Sequence, residues 1–196
     1  MTPDQVPAWR KAERERLLAE RAARPLAARQ DEAAALARHL DALLAARFSG
    51  PAGLVVSGYW PIKSEPDLRP WLTALHQQGA RTALPVVETR AAPLVFRPWA
   101  PGAAMERGHW NILVPADPAH IIPQVTLAPL VGWDRQGYRL GYGGGYFDRT
   151  LAALAPRPLV IGVGSQAAEI ETIHPQPHDI PLDAIVTGEG VQVLRG

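Results

Sequence analysis

The sequence contains no cysteine. This excludes disulfides, thiolate catalysis and cysteine-ligated zinc, and it suits a reducing compartment. The chain also lacks any apolar run of the roughly 18–20 residues that a bilayer-spanning helix needs. Its first residues are charged and show no apolar segment of a signal peptide. We therefore expect a cytoplasmic protein with no membrane partner.

The sequence also lacks an excess of positive or negative charge. It has 20 Lys and Arg residues and 19 Asp and Glu residues, which gives a formal net charge of +1. Nucleic-acid binding through a basic first helix would need more net charge and an aromatic platform, so we expect no nucleic-acid partner. With 47% hydrophobic residues in 196, no repeat and no linker, the chain is expected to be one monomeric domain over 1–196.

Hydrophobic periodicity predicts an α/β fold. Two N-terminal helices, at 8–24 and 27–47, should pack on the core, and Asp67 should be the N-cap of a helix at 68–78 that Gly79 ends. Further helices are predicted at 144–154 and 167–173. Strands are predicted at 54–56, 82–87, 94–99, 125–131, 159–163, 184–186 and 191–194. Continuous apolar strands between helices indicate a three-layer α/β/α sandwich with a mainly parallel sheet, whose edge strands can be antiparallel.

A glycine-rich stretch near residue 140 is the most informative local pattern. Glycines at 141, 143, 144 and 145 would let backbone amides converge on an anion, and the helix that follows would add its positive end. Arg139 offers a charged fork for phosphate oxygens, and the Asp148 carboxylate could reach a phosphate-bound Mg²⁺. The stretch is neither a Walker A loop nor a GxGxxG fingerprint. A tight strand–helix connection is the alternative interpretation.

The string Arg-Leu-Gly-Tyr-Gly-Gly-Gly-Tyr-Phe-Asp-Arg at 139–149 resembles the Arg-Leu-Gly-x-Gly-x-Gly-Tyr-Tyr-Asp motif of 5-formyltetrahydrofolate cyclo-ligases. Phe147 replaces the second Tyr. The resemblance implies that this segment binds the phosphates of ATP, that Arg139 is catalytic, and that Asp148 holds magnesium. The ATP-binding residues implied by this motif are Arg139, Leu140, Gly141, Tyr142, Gly143, Gly144, Gly145, Tyr146 and Phe147.

Two other segments resemble the folate-binding parts of that family. The stretch at 59–67 is similar to Tyr-x-Pro-x-x-x-Glu-x-Asp, which implies that Glu65 contacts the pterin-like ring and that Trp60 lines the pocket. A carboxylate can accept two hydrogen bonds from a 2-amino-pyrimidinone edge. The stretch at 108–112 is similar to Gly-x-x-x-Ile, which implies that Trp110 packs against the substrate, as does Tyr146. The alternatives are a helix-entry acid for Glu65 and a core residue for Trp110.

The first helix carries arginines on one face, at positions 10, 14, 21 and 24. Arg10 and Arg14 match the spacing of the family's Lys-x-x-x-Arg pair, with arginine in place of lysine, which implies contacts with ATP. The alternative is a solvated face of Arg–Glu pairs such as Arg16–Glu20.

The loop at 173–183 resembles the family's His-Asp-x-x-hydrophobic-Asp segment. This implies a second magnesium contact at Asp179, while Asp183 should fix the loop or cap a strand. A zinc site at His174 and His178 is disfavoured, because two prolines prevent the helix that such spacing requires.

Together these resemblances imply a ligase that uses ATP and Mg²⁺ to cyclise 5-formyltetrahydrofolate to 5,10-methenyltetrahydrofolate, giving ADP and phosphate. Its partners would be two small molecules, the folate and ATP. Two alternatives stay open. One is a related ligase acting on another formylated or amide substrate, and the other is a non-catalytic folate- or nucleotide-binding paralogue.

Overall fold

The computed structural model describes residues 2–195, which form four α-helices and eleven strands. The α-helices are α1 (Val6–Ala23), α2 (Leu26–Arg47), α3 (Arg69–Gln77) and α4 (Tyr146–Ala153). The strands are β1 (Val55–Ser57), β2 (Arg81–Val86), β3 (Val95–Trp99), β4 (Met105–Arg107), β5 (Leu113–Pro115), β6 (Val125–Pro129), β7 (Gly132–Trp133), β8 (Arg139–Leu140), β9 (Leu159–Val163), β10 (Ala184–Thr187) and β11 (Gly190–Leu194).

Seven strands form the main sheet in the order β11-β10-β9-β6-β1-β2-β3. The inner strands run parallel, and the two edge strands, β11 and β3, are antiparallel to their neighbours. The prediction of a mainly parallel sheet with antiparallel edges is confirmed. Because side chains alternate across a strand, Leu127 packs with α2 and α3 on one face, while Ala128 packs with Leu151 of α4 on the other.

The order of the strands places the site. From β1 the chain moves to β2, which lies on one side of β1 in the sheet. It later returns to β6, on the other side of β1, and continues outward to β9 and β10. In open parallel sheets, ligands bind at such a reversal, beyond the carboxyl ends of the two central strands. The segments at 58–67 and 130–148, which follow β1 and β6, therefore emerge side by side.

Three local predictions were wrong. The helix predicted at 167–173 is only a single 3₁₀ turn, Gln166–Ala168, because the amide of Ile170 bonds to the carbonyl of Trp133 at 2.8 Å instead of continuing a helix. The N-cap of α3 is Leu68, although Asp67 still accepts a hydrogen bond from the amide of Arg69 at 3.1 Å. Two small hairpins, β4–β5 and β7–β8, were not predicted.

Asp183 fixes the end of its loop, as predicted. Its Oδ2 accepts a hydrogen bond from the amide of Val160 at 2.8 Å, and its Oδ1 pairs with Arg157 at 2.9 Å. No helix within residues 2–195 has both the length and the apolar character of a membrane span.

Asp134, which was not singled out from the sequence, is fully buried beneath the β7–β8 hairpin. Its carboxylate accepts hydrogen bonds from the amides of Gln136, Tyr138 and Ile173 at 3.0–3.1 Å. We expect Asp134→Ala to lower the free energy of unfolding by about 2–4 kcal/mol, because three backbone amides lose their acceptor and that of Ile173 is buried. Denaturant unfolding measures this. The exposed Asp31→Ala is the matched control, and equal stability of the two variants would contradict the prediction.

Candidate active site

The glycine turn, residues 141–145, joins β8 to α4. Gly143 and Gly145 have φ angles of 93° and 63°, a conformation that favours glycine. None of the backbone amides from Gly141 to Asp148 donates a hydrogen bond to another group within residues 2–195. The first amides of any helix lack intrahelical partners, and the amides of residues 141–145 extend this run of free donors ahead of α4. The unused amides favour the interpretation of the turn as an anion-binding site.

Arg14 reaches the turn from α1. Its Nε donates to the carbonyl oxygen of Gly141 at 2.6 Å, and a Cβ atom on Gly143 would lie 3.4 Å from its Cζ. Its two terminal nitrogens donate no hydrogen bond within the described part of the chain. Burial, with the charge of Arg10 nearby, lowers the pKa of Arg14. The structure therefore brings one predicted ATP-binding arginine to the predicted loop, with donors to spare.

Arg10 is committed to the loop that carries Asp179. Its Nε donates to the carbonyl of Ile173 at 2.9 Å, one terminal nitrogen donates to that of His174 at 3.0 Å, and the guanidinium pairs with Asp179 at 2.5 Å. Burial alone would raise the pKa of Asp179, but hydrogen bonds from Arg10 and from the Gln176 amide outweigh it and hold that pKa below its usual value. Arg10 thus fastens the C-terminal loop to α1.

Arg139 and Asp148 form a second ion pair. Two guanidinium nitrogens contact the two carboxylate oxygens at 3.2 and 3.1 Å, and only 6% of the Arg139 side chain is exposed. Burial lowers the pKa of Arg139, while the charges of Asp148 and Asp179 oppose that shift. Asp148 Oδ1 also accepts a hydrogen bond from the amide of Ile180 at 3.1 Å. Because Ile180 follows Asp179, the two predicted metal ligands come from adjoining segments.

The two carboxylates retain room for a divalent cation. A carboxylate offers about four lone-pair sites. Asp148 uses three for Arg139 and Ile180, and Asp179 uses three for Arg10 and Gln176. Magnesium usually takes one or two protein carboxylates and completes its shell with phosphate oxygens and water. The two acids would therefore suit a magnesium ion that arrives with a polyphosphate, through the oxygen lone pairs that their hydrogen bonds leave free.

Glu65 lies at the centre of a buried chain of polar groups. Its Oε2 accepts a hydrogen bond from the amide of Ile62 at 2.9 Å, and its Oε1 accepts one from the hydroxyl of Tyr142 at 2.8 Å. That hydroxyl in turn accepts one from Arg21 at 2.6 Å. Only 7% of Glu65 is exposed, and burial raises its pKa. A buried carboxylate with these hydrogen bonds does not match the alternative interpretation of Glu65 as an acid at the entry of a helix. It also links the predicted folate site to the glycine turn.

Arg21 was not predicted as a site residue. Besides Tyr142, it donates to the carbonyl oxygens of Lys63 at 3.0 Å and Leu130 at 3.1 Å, so it ties the segment after β1 to the segment after β6. A signal existed, because Arg21 shares a helix face with Arg10 and Arg14. The solvated Arg–Glu pairs are also present on α1, since Arg16 pairs with Glu20 at 2.7 Å. Both interpretations of this helix apply, one to each face.

The predicted aromatic residues lie in different surroundings, and Trp60 and Phe147 pack partly against the core. Trp110 is 63% exposed, which excludes a role as a core residue, and its ring meets that of Tyr146 edge-on at 5.4 Å. The Tyr146 hydroxyl accepts a hydrogen bond from the amide of Ala91 at 3.2 Å. Trp60 follows β1, and the guanidinium of Arg69 lies 4.7 Å from the centre of its ring. The ring of Phe147 lies 5.3 Å from the Arg139 guanidinium.

Two cavities adjoin the carboxyl ends of β9 and β10. The larger, of about 360 Å³, is lined by polar groups that include Arg24, Glu32 and Ser165. The smaller, of about 110 Å³, extends from the same three residues to Arg21 and Pro66. The smaller cavity thus reaches Pro66, the residue that follows Glu65.

Known proteins resemble this chain over most of its length. The sequence model of the 5-formyltetrahydrofolate cyclo-ligase family matches residues 6–188. The 5-formyltetrahydrofolate cyclo-ligase of Mycolicibacterium smegmatis is 36% identical over 188 residues, covering 91% of this chain and 94% of the relative. That of Escherichia coli K12 is 31% identical over 139 residues, covering 67% and 76%.

Solved structures give the same result. The NMR structure of Aquifex aeolicus 5,10-methenyltetrahydrofolate synthetase superimposes with a TM-score of 0.77 at 27% identity, covering 95% of this chain and 93% of the other. The Mycoplasma pneumoniae synthetase shares the fold, with a TM-score of 0.73 at 23% identity over 91% and 98% of the two chains. The similarity therefore includes every segment of the site described above.

Proposed function

This chain belongs to the 5-formyltetrahydrofolate cyclo-ligase family, and we propose that it cyclises 5-formyltetrahydrofolate to 5,10-methenyltetrahydrofolate with ATP and Mg²⁺, releasing ADP and phosphate. One observation carries the proposal. The unused backbone amides from Gly141 to Asp148 lie beside Arg14 and beside two carboxylates with lone pairs to spare. This combination suits a magnesium-bound polyphosphate.

The chemistry requires activation of a poor leaving group. The formyl oxygen attacks the γ-phosphorus of ATP, and the bond from that phosphorus to ADP breaks. N10 of the folate then attacks the formyl carbon, the carbon–oxygen bond breaks to release phosphate, and N10 loses its proton. No step requires a covalent bond to the protein. Catalysis would come from positioning and from neutralisation of charge.

The proposed roles at the nucleotide follow from the contacts. The amides of the glycine turn and the free nitrogens of Arg14 would bind the phosphates, and Arg139 would hold the γ-phosphoryl group near the formyl oxygen while it orients Asp148. Arg10 holds the loop of Asp179, and its direct contact with ATP stays a prediction. Bound at Asp148 and Asp179, magnesium would neutralise charge on the phosphate oxygens.

The proposed folate pocket lies beside the Tyr142 end of the turn. The Glu65 carboxylate would accept hydrogen bonds from the amino-pyrimidinone edge of the ring. Burial raises the pKa of Tyr142, so its phenol stays protonated and donates to Glu65. Trp60, Trp110 and Tyr146 would form apolar walls for the rest of the substrate.

An absorbance assay tests the activity. Purified protein with 5-formyltetrahydrofolate should form the methenyl product, followed at its absorbance band, only when both ATP and Mg²⁺ are present. Absence of any ATP-dependent signal would contradict the proposal. ATP hydrolysis driven by other formylated amines would favour the related ligase, and binding of both ligands without turnover would favour the non-catalytic paralogue.

We further propose that the protein works as a monomer in the cytoplasm without a nucleic-acid or membrane partner. Its near-balanced charge supports the absence of a nucleic-acid partner. Size-exclusion chromatography with light scattering should give a mass near 21.2 kDa, and a mass twice that value would contradict the monomer.

A further inference from the structure

The arginines around the glycine turn fall into two groups. Arg10 and Arg139 are each paired with an aspartate, so their charge is largely compensated. Arg14 and Arg149 form no ion pair with any residue in the range 2–195. A polyphosphate needs uncompensated positive charge, which the second group supplies.

Arg149 lies along the turn from the first helical turn of α4. One terminal nitrogen donates to the carbonyl oxygen of Gly144, and its Cζ lies 5.1 Å from the ring centre of Tyr146. The other terminal nitrogen is 3.1 Å from where a Cβ atom on Gly145 would be. The guanidinium of Arg149 therefore lies next to the backbone amides of the glycine turn that donate no hydrogen bond.

The Nε atom of Arg149 carries the strongest indication. It is buried, and it has no hydrogen-bond partner among the groups of residues 2–195. A buried donor of a charged group without an acceptor is unfavourable, and proteins seldom retain one without a reason. A small shift of the side chain would expose this nitrogen to an oxygen atom of a ligand bound at the turn, which would supply the missing acceptor.

We propose that Arg149 is a further phosphate-binding residue of the nucleotide site, which with Arg14 provides the positive charge that the two paired arginines cannot. This inference rests on the proposed function. It assigns to Arg149 the polyphosphate of the nucleotide and not the folate. It differs from a purely structural role, in which Arg149 would only brace the turn through Gly144 and Tyr146.

The test compares Arg149→Gln and Arg149→Lys with the wild type. Arg47→Gln, at an exposed arginine in the last turn of α2, is the matched control. We expect Arg149→Gln to raise the KM for ATP roughly tenfold to hundredfold, as for loss of a charged hydrogen bond, and to leave the KM for 5-formyltetrahydrofolate within about twofold. Arg149→Lys should restore part of the affinity. The rise in melting temperature caused by ATP should shrink in Arg149→Gln alone.

Three outcomes would overturn the inference. An ATP KM equal to that of the control would show that Arg149 does not bind the nucleotide. If Arg149→Gln raises the KM values for ATP and for 5-formyltetrahydrofolate equally and lowers the melting temperature of the unliganded protein, Arg149 has only a structural role in the turn. A wild-type protein without any ATP-dependent turnover would remove the proposed function itself, which separates that failure from the first two.

Discussion

Asp148→Asn should lower kcat/KM for ATP by about 10²- to 10³-fold, the loss typical of removing one preorganised electrostatic contact from a transition state. The asparagine keeps an oxygen for the amide of Ile180 but loses the charge that Arg139 and the metal require. It also leaves the buried Arg139 without its counter-ion. Steady-state kinetics at several Mg²⁺ concentrations should show a weaker response to the metal.

Asp117→Asn is the control, because Asp117 is exposed and its side chain contacts only the nearby amide of Ala119. Melting temperatures of both variants separate loss of folding from loss of activity. If Asp148→Asn stays folded and retains kcat/KM within about threefold of the wild type, Asp148 is not a metal ligand.

Glu65→Gln should raise the KM for 5-formyltetrahydrofolate roughly 10- to 100-fold and leave the KM for ATP near the wild-type value. A glutamine offers one acceptor and turns an amino group toward the donors of the ring. The exposed Glu15→Gln is the matched control. Unchanged folate KM in Glu65→Gln would remove Glu65 from the folate site.

The pKa of Glu65 adds a pH dependence to this result. Burial raises that pKa above its ordinary value of 4.5, and the proposed recognition of folate would need the ionised carboxylate. The folate KM of the wild type should therefore rise as the pH falls through the raised pKa. Glu65→Gln should show no such rise. Equal pH profiles for the two proteins would contradict the assignment.

The same pKa has a consequence for stability. Because the pKa of Glu65 is higher in the folded state, its contribution to the free energy of unfolding is complete below about pH 4.5 and is lost as the pH rises through the folded value. At a pH above the folded pKa, the ionised Glu65 is thus a cost to the unliganded fold. Glu65→Gln should melt no lower than the wild type, as is common where function requires a buried charge.

The elements that the sequence predicted well are those with strong local patterns. The helix at 27–47 and the strand at 159–163 match α2 and β9 within a residue, because the buried leucines of α2 lie at helical spacing and β9 is a continuous apolar run. The short hairpins escaped prediction, since β7 and β8 are two residues long and owe their geometry to Asp134. The helix predicted at 167–173 was wrong because the amide of Ile170 donates to the carbonyl of Trp133, which is distant in sequence.

The same distinction holds for the site. The motifs indicated which residue types would meet, and Arg14, Asp148 and Asp179 do lie around one turn. Sequence could not reveal which arginines are already paired with acids, because Arg10 and Asp179 lie far apart in the chain and Arg139 meets Asp148 only through the fold of the turn between them. The hydrogen-bonded connection from Arg21 through Tyr142 to Glu65 was hidden for the same reason.

A cradle built from main-chain donors recognises oxygen atoms and is indifferent to the base at the other end of the nucleotide. Compact oxyanions, including the inorganic phosphate that the reaction releases, should compete for it whatever purine is attached. Inhibitors that mimic the polyphosphate alone should therefore bind, while selectivity among nucleoside triphosphates must be encoded by side chains outside residues 141–148.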